Sequence, residues 1–292
     1  MQQRPLGPGA PEVSAISFGG MPLSIQGRPE NEADALEVIH SVLDAGVTLI
    51  DTANVYCLDD DDIGHNEHLV AKAIGTWPGD RNAITIATKG GLTRPQGRWE
   101  RDARPGQLKA ACEKSLQALD VECIDLYQLH APDPEVPYED SVGALADLQH
   151  EGKIRWIGLS NVSVEQIEAA RQMVEVVTVQ NRLNPFFREA VQTGVVQHCA
   201  EHGIGFLAYS PVGGGRLNKK LPGHPALLPI SRRLGISPHA VVLAWVLAQG
   251  VTVIPIPGAR TVGHALDSLT AAGVTLDPEE LQAIDEAEFS TA

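Results

Sequence analysis

Eight short runs of β-branched or aliphatic residues, separated by longer stretches of helical periodicity, constrain the fold of this chain more than any other feature. They fall at 16–19, 48–51, 83–88, 124–129, 155–159, 176–179, 205–208 and 252–255. Each reads as a nearly continuous apolar segment instead of an alternating one, so both faces of each strand are covered and neighbours pair in parallel. Between them, Leu36, Ile39, Val42 and Leu43 mark one apolar helix face, and Leu108, Cys112, Leu116 and Leu119 mark another. Ser163 with Gln166, and Asp277-Pro278 with Glu280, carry the side chains that start helices. The stretch 240–247 is apolar almost all round, as in a helix wedged between a sheet and its neighbours, and Trp245 within it reads as packing.

Strand-helix alternation defines an α/β protein, and eight parallel units favour a single (β/α)8 TIM barrel, because closing the sheet removes its two exposed edges. An open doubly wound sheet is the alternative. The 292 residues show no linker and no tandem repeat, so one barrel domain spanning 1–292 is expected.

Charge narrows the partners. With 22 basic and 37 acidic residues the formal charge is −15, without a basic block, so nucleic acid and anionic membranes are poor partners. No apolar run is long enough to span a bilayer, and Met1-Gln2-Gln3-Arg4-Pro5 does not lead into a secretory signal. Four cysteines without CxxC spacing fit a reducing compartment, so a cytoplasmic protein is expected, and the acidic surface suits a monomer or weak homo-oligomer. The acidic run Asp59-Asp60-Asp61-Asp62 lacks EF-hand spacing, and no zinc pattern is present, so it reads as a solvated loop and no metal is expected. Pro211-Val212-Gly213-Gly214-Gly215 lacks the lysine of a P-loop, and no GxGxxG follows the first strand.

Several strands end in polar residues: Asp51 and Tyr56 after the second, Lys89 after the third, His130 after the fourth, Ser160 and Asn161 after the fifth. Each alone has an ordinary account, as a turn cap, a half-buried aromatic, a surface charge or an interfacial histidine. In a closed barrel, however, all these C-terminal ends share one rim, and residues far apart in sequence surround one reacting atom.

Over practically its full length the sequence resembles the aldo-keto reductases. The likeness is carried by Gly19-Gly20-Met21, Asp51-Thr52-Ala53-Asn54-Val55-Tyr56, Gly64-His65-Asn66-Glu67, Thr88-Lys89, Ile124-Asp125-Leu126-Tyr127-Gln128-Leu129-His130 and Gly152-Lys153-Ile154-Arg155-Trp156-Ile157-Gly158-Leu159-Ser160-Asn161. Val179-Gln180-Asn181, Ala208-Tyr209-Ser210-Pro211 and Ile256-Pro257-Gly258-Ala259-Arg260 follow in family order. The resemblance implies a (β/α)8 barrel that reduces aldehydes or ketones with NADPH or, less often, NADH. It implies a catalytic tetrad of Asp51, Tyr56, Lys89 and His130, with Tyr56 as general acid. In elementary terms, a phenol with a reference pKa of about 10 is a reluctant donor near neutrality. The Lys89 ammonium would bring it down, and Asp51 would keep that ammonium charged.

For the cofactor, the resemblance implies Gly20, Met21 and Asp51 among the binding residues, Ser160, Asn161 and Gln180 on the carboxamide, and Tyr209 stacked on the ring. Ser210, Pro211, Gly213, Gly214 and Gly215 would border the pyrophosphate. Gly258, Ala259, Arg260, His264, Asp267 and Ser268 would surround the adenosine, where the Arg260 fork suits a 2′-phosphate and favours NADPH. Many relatives carry arginine where His264 falls and asparagine where Ser268 falls, so NADH use is plausible here too. The segment 91–99 resembles a variable loop of the substrate pocket, where Trp99 would flank a small-molecule carbonyl substrate beside His130, and Arg94 or Arg98 would meet an acidic group. The loop 211–238 would cover part of the cofactor. Two other classes stand beside this reading: a nicotinamide-binding regulatory subunit, against which the intact tetrad argues, and a barrel isomerase acting on phosphorylated substrates.

Overall fold

The computed structural model describes residues 1–292. Eight strands form the central sheet: β1 (Phe18–Gly19), β2 (Leu49–Asp51), β3 (Thr85–Gly90), β4 (Ile124–Leu129), β5 (Ile154–Ser160), β6 (Val176–Arg182), β7 (Gly205–Tyr209) and β8 (Val253–Pro255). They lie side by side in chain order, and every pairing is parallel. The ends meet as well, since Ser17 N–H donates to Pro255 O and Gly19 N–H to Pro257 O, both at 3.0 Å. The sheet is therefore a closed (β/α)8 TIM barrel, and the open alternative falls away.

The outer helices follow the sequence periodicity. In α1 (Glu32–Asp44) the buried positions are Ala35, Val38, Ile39, Val42 and Leu43, one apolar stripe against the barrel, with Leu36 at its margin. In α2 (Pro105–Leu119), Leu108, Cys112, Leu116 and Leu119 are all buried. Every residue from Ala240 to Leu247 is buried, and the Trp245 indole N–H donates to Asp285 at 2.8 Å, in line with a packing role. Both expected capping boxes form, at Ser163/Gln166 and Asp277/Glu280.

Two hairpins escaped the sequence reading. Gln3–Pro5 pairs antiparallel with Glu12–Ser14, and the turn plugs the N-terminal end of the barrel. There Leu6 and Val13 join Leu49, Ala87, Leu126 and Leu207 in a compact interior layer. Burying such aliphatic side chains contributes about 1.5–3 kcal/mol each. Gly205 is required beneath this plug, because a Cβ there would stand 2.0 Å from Leu6 O. Arg4 fixes the hairpin by donating to the carbonyls of Gly250, at 2.6 Å, and Leu247, at 3.0 Å. The second hairpin, Leu92–Thr93 with Glu100–Arg101, gives the segment 91–99 a regular frame instead of an open loop.

The region 211–238, expected to be a loop, is largely helical turns: Gly214–Leu217, Asn218–Gly223 and Leu227–Leu234. Its glycines and prolines sit at helix ends and inside short 3-10 turns, where they do not prevent helix formation. The acidic run 59–62 forms one 3-10 turn, with Asp59 capping Asp61 N–H and Asp62 paired to Arg28 at 2.7 Å.

Candidate active site

The C-terminal ends of the strands bring the four expected side chains together. Asp51 ends β2, Tyr56 lies in the turn after it, Lys89 lies within β3, and His130 directly follows β4. β3 runs through Lys89 to Gly90, beyond the expected end at Thr88, because Lys89 and Gly90 are in register with Gln128 and Leu129 of β4. Lys89 points into the barrel, fully buried, and Asp51 is 2% exposed. The Lys89 ammonium donates to Asp51 Oδ2 at 2.7 Å, to Thr52 O at 2.8 Å and to the Tyr56 hydroxyl at 2.9 Å. An ammonium has three protons, and all three are placed.

The other Asp51 oxygen is held from across the barrel. Oδ1 accepts from Gln180 Nε2 at 2.7 Å and from Gln128 Nε2 at 3.3 Å. Room for this glutamine layer comes from Gly158, where a Cβ would stand 2.4 Å from Thr178 Oγ1 and 2.7 Å from Gln128 Cγ. Behind Lys89 lies Glu67, whose Oε1 accepts from Thr88 Oγ1 at 2.5 Å. Its second oxygen is buried without a partner. Burial pushes this carboxyl up to about 7, with Thr88, Ser115 and Lys89 opposing.

Burial, then the negative charge of Asp51, holds the Tyr56 phenol well above its ordinary 10. Burial also pulls Lys89 below its ordinary value, against the opposing pull of Asp51. His130 is held well below 6.5 by burial and by Lys89, so its imidazole is neutral. Its Nδ1 is buried and unpartnered.

A wall stands over this cluster. The Trp99 ring lies edge-on to Tyr56 and to His130, each at 6.4 Å between centroids, and is 47% exposed. Arg94 stacks on it at 4.0 Å and donates to Leu58 O at 2.9 Å and Cys57 O at 3.2 Å. Arg94 is buried against Trp99 with its Nε and Nη1 unpartnered, and Arg98 is exposed and paired with Glu100 at 3.0 Å. Cys57 is buried, and burial pushes its thiol up to about 11, so it packs and is no nucleophile.

The residues expected at a cofactor occupy the same rim. Gly20 N–H donates to Asp51 O at 2.8 Å and opens the turn Met21–Leu23. Ser160 donates to Gln180 O at 2.8 Å; Asn161 Nδ2 donates to His130 O at 2.9 Å and its Oδ1 accepts from Tyr209 at 2.8 Å. Asn161 and Ser210 both have left-handed backbones, with φ of 59° and 49°. Such conformations cost about 1–3 kcal/mol in a non-glycine residue, and here they follow the ends of β5 and β7. Pro211 is buried and Gly213 and Gly214 have positive φ, while Gly215 is exposed at the start of its helical turn. Gly258 and Ala259 run against β1, where a Gly258 Cβ would stand 2.6 Å from Gly19 O.

Arg260 crosses to the loop after β1, donating to Gln26 O at 2.9 Å and Pro22 O at 3.2 Å. Thr261 caps the helix Val262–Leu269. On that helix His264 is exposed, Ser268 donates back to His264 O at 3.0 Å, and Asp267 accepts from Ser237 at 2.6 Å. Ser237 is the cap of the preceding helix, Pro238–Leu247, so Asp267 is tied to that cap.

Four contributors were missed in sequence: Thr52, Glu67, Gln128 and Asn66. Asn66 ties Gly20 O, at 2.9 Å, to Thr52 Oγ1, at 2.6 Å. Gln128 had a readable signal, since period-two spacing places Leu126, Gln128 and His130 on one strand face.

Comparison with known proteins agrees with this architecture. Residues 15–288 match the Aldo/keto reductase family. A probable aldo-keto reductase 1 from Glycine max is 34% identical, over 94% of this chain and 86% of its own. Among solved structures, a glycerol dehydrogenase from Gluconobacter oxydans superposes with a TM-score of 0.84 at 29% identity, covering 97% of this chain and 94% of its own. An aldo/keto reductase from Klebsiella pneumoniae, in complex with NADP and acetate, superposes with a TM-score of 0.81 at 26% identity, covering 98% and 95%. The barrel and these matches define the class: this chain belongs to the aldo-keto reductase family. No helix is long and apolar enough to cross a membrane.

Proposed function

We propose that this protein is a carbonyl reductase that converts aldehydes or ketones to alcohols, reversibly, with NADPH preferred over NADH and Tyr56 as the general acid. The carrying observation is the buried chain from Asp51 through Lys89 to the Tyr56 hydroxyl, at 2.7 Å and 2.9 Å. The residues at the rim suit a dinucleotide: Asn161 and Ser160 carry amide and hydroxyl groups, Tyr209 offers an aromatic face, and Arg260 with the capped helix after it suits a phosphate. When bound, the reduced nicotinamide supplies the hydride.

The chain's own residues supply the proton and the electrostatics. Tyr56, kept protonated by burial and by Asp51, retains its proton until the substrate oxygen gains negative charge, then donates it. The Lys89 ammonium, 2.9 Å away, stabilises the phenolate left behind. Asp51 orients Lys89, and Gln180 and Gln128 hold Asp51. Neutral His130 donates its N–H toward the same oxygen, and Trp99 excludes water from that side.

The test is paired: titration with NADPH and with NADH by fluorescence quenching, then turnover of a panel of aldehydes, ketones and alcohols followed by nicotinamide absorbance. Saturable binding with aldehyde or ketone reduction is expected. Binding without turnover would favour a regulatory subunit, and absence of nicotinamide binding would overturn the reading.

A further inference from the structure

At the opposite end of the barrel, two outer helices bring together three side chains that nothing in the proposed chemistry uses. Glu168 projects from the helix Val164–Arg171, His198 from the helix Val195–Glu201, and His202 follows that second helix directly. One ligand atom from each lies within 4.8 Å of the other two. Each helix end leads into the start of a strand, at Val176 of β6 and Gly205 of β7, whereas Lys89 and Tyr56 are at the strands' C-terminal rim. The cluster is therefore remote from the candidate active site.

His198 and His202 are four residues apart, so they project from one helix face, and their ring centroids are 4.3 Å apart. His202 Nδ1 is 2.9 Å from His198 O. A carbonyl only accepts, so Nδ1 carries the proton and Nε2 of the neutral ring keeps its lone pair. Metal-binding histidines are commonly oriented this way, by a backbone carbonyl on the other ring nitrogen. His198 Nε2 approaches Glu168 Oε1 at 2.9 Å, yet this buried nitrogen has no aligned hydrogen-bond partner. The Arg171 guanidinium, bonded to Glu168 Oε1, holds that carboxyl below its usual range.

We propose that Glu168, His198 and His202 bind a divalent transition-metal ion, with Zn²⁺ the best match. Two imidazole nitrogens and one carboxylate oxygen are a common zinc ligand set, with a water completing the tetrahedron at bond lengths of about 2.0–2.2 Å. Zn²⁺ takes the lone pairs of both imidazoles and one carboxylate oxygen, and any proton on His198 Nε2 leaves to solvent. Arg171 pairs with the same Glu168 oxygen, competes with the metal, and must swing aside into solvent. The ion would staple the helix after β5 to the helix after β6, stabilising the folded state by mass action.

The experiment uses the untagged full-length protein, stripped with EDTA and titrated with ZnCl₂ by calorimetry, then with CoCl₂ by visible absorption. One equivalent of Zn²⁺, a thermal midpoint that rises with zinc and falls with EDTA, and Co²⁺ bands of tetrahedral intensity are expected. His198→Ala, His202→Ala and Glu168→Gln should each weaken Zn²⁺ by at least about 10-fold, since losing even an outer-shell partner costs that much. Arg171→Ala should tighten it. Because these side chains are partly exposed, circular dichroism should show all four variants folded; Arg171→Ala tests the site without removing a ligand. The proposal is overturned by absence of saturable binding, by binding that both histidine variants retain, or by an Arg171→Ala variant that binds more weakly.

Discussion

Lys89 Nζ stands 2.9 Å from the Tyr56 hydroxyl, inside a barrel that excludes water from the lysine altogether. The pair joins strand β3 to the turn after β2.

Replacing Tyr56 by Phe keeps the ring against Trp99 and His130 but removes the proton. Turnover should fall by about 10²–10⁴, the usual contribution of general acid catalysis, with cofactor affinity little changed. Steady-state kinetics alongside fluorescence titration checks both halves. Near-normal turnover would remove Tyr56 from the acid role.

Asp51→Asn leaves the buried Lys89 without its counter-charge. Breaking such a pair on one side costs about 3–5 kcal/mol, and the Gln180 and Gln128 contacts are disturbed as well. Urea denaturation should show this loss, accompanied by reduced turnover. A variant as stable as the parent would mean that Lys89 is neutral in the fold.

Glu67 gives the pH dependence a definite sign. Its folded value of about 7 lies above its ordinary 4.5, so the folded state holds this proton more tightly. Its contribution is complete below 4.5 and is lost as pH rises toward 7. His130, held well below 6.5, acts in reverse: its contribution is complete above 6.5 and is lost as pH falls. Glu67→Gln removes only the first slope. Between about pH 5 and 8 it should gain about 2–3 kcal/mol relative to the parent. Denaturant titrations at both pH values decide it, and parallel curves would refute the assignment.

His264→Arg places a permanent cation on the exposed face of the helix that Thr261 caps, near Arg260. NADPH should bind several-fold tighter and NADH about the same, an effect of about 1 kcal/mol for an exposed charge pair. Equal changes for both cofactors in parallel titrations would move the 2′-phosphate elsewhere.

The sequence by itself determined the repeated strand-helix order, the parallel pairing, both capping boxes and the apolar helix faces, because these depend on residues a few positions apart. It also carried the family motifs, and so the four side chains of the rim. Only the tertiary structure decided what depends on distant segments meeting. Ring closure rests on hydrogen bonds from Ser17 and Gly19 to Pro255 and Pro257. The glutamine layer around Asp51, the commitment of Arg94 to Trp99 and of Asp267 to Ser237, and the approach of Glu168 to His198 are likewise contacts between separate strands and helices. The direction of the Tyr56 shift belongs with them, since sequence shows which charges are near a phenol but not how completely water is removed, and here burial, then Asp51, raises it.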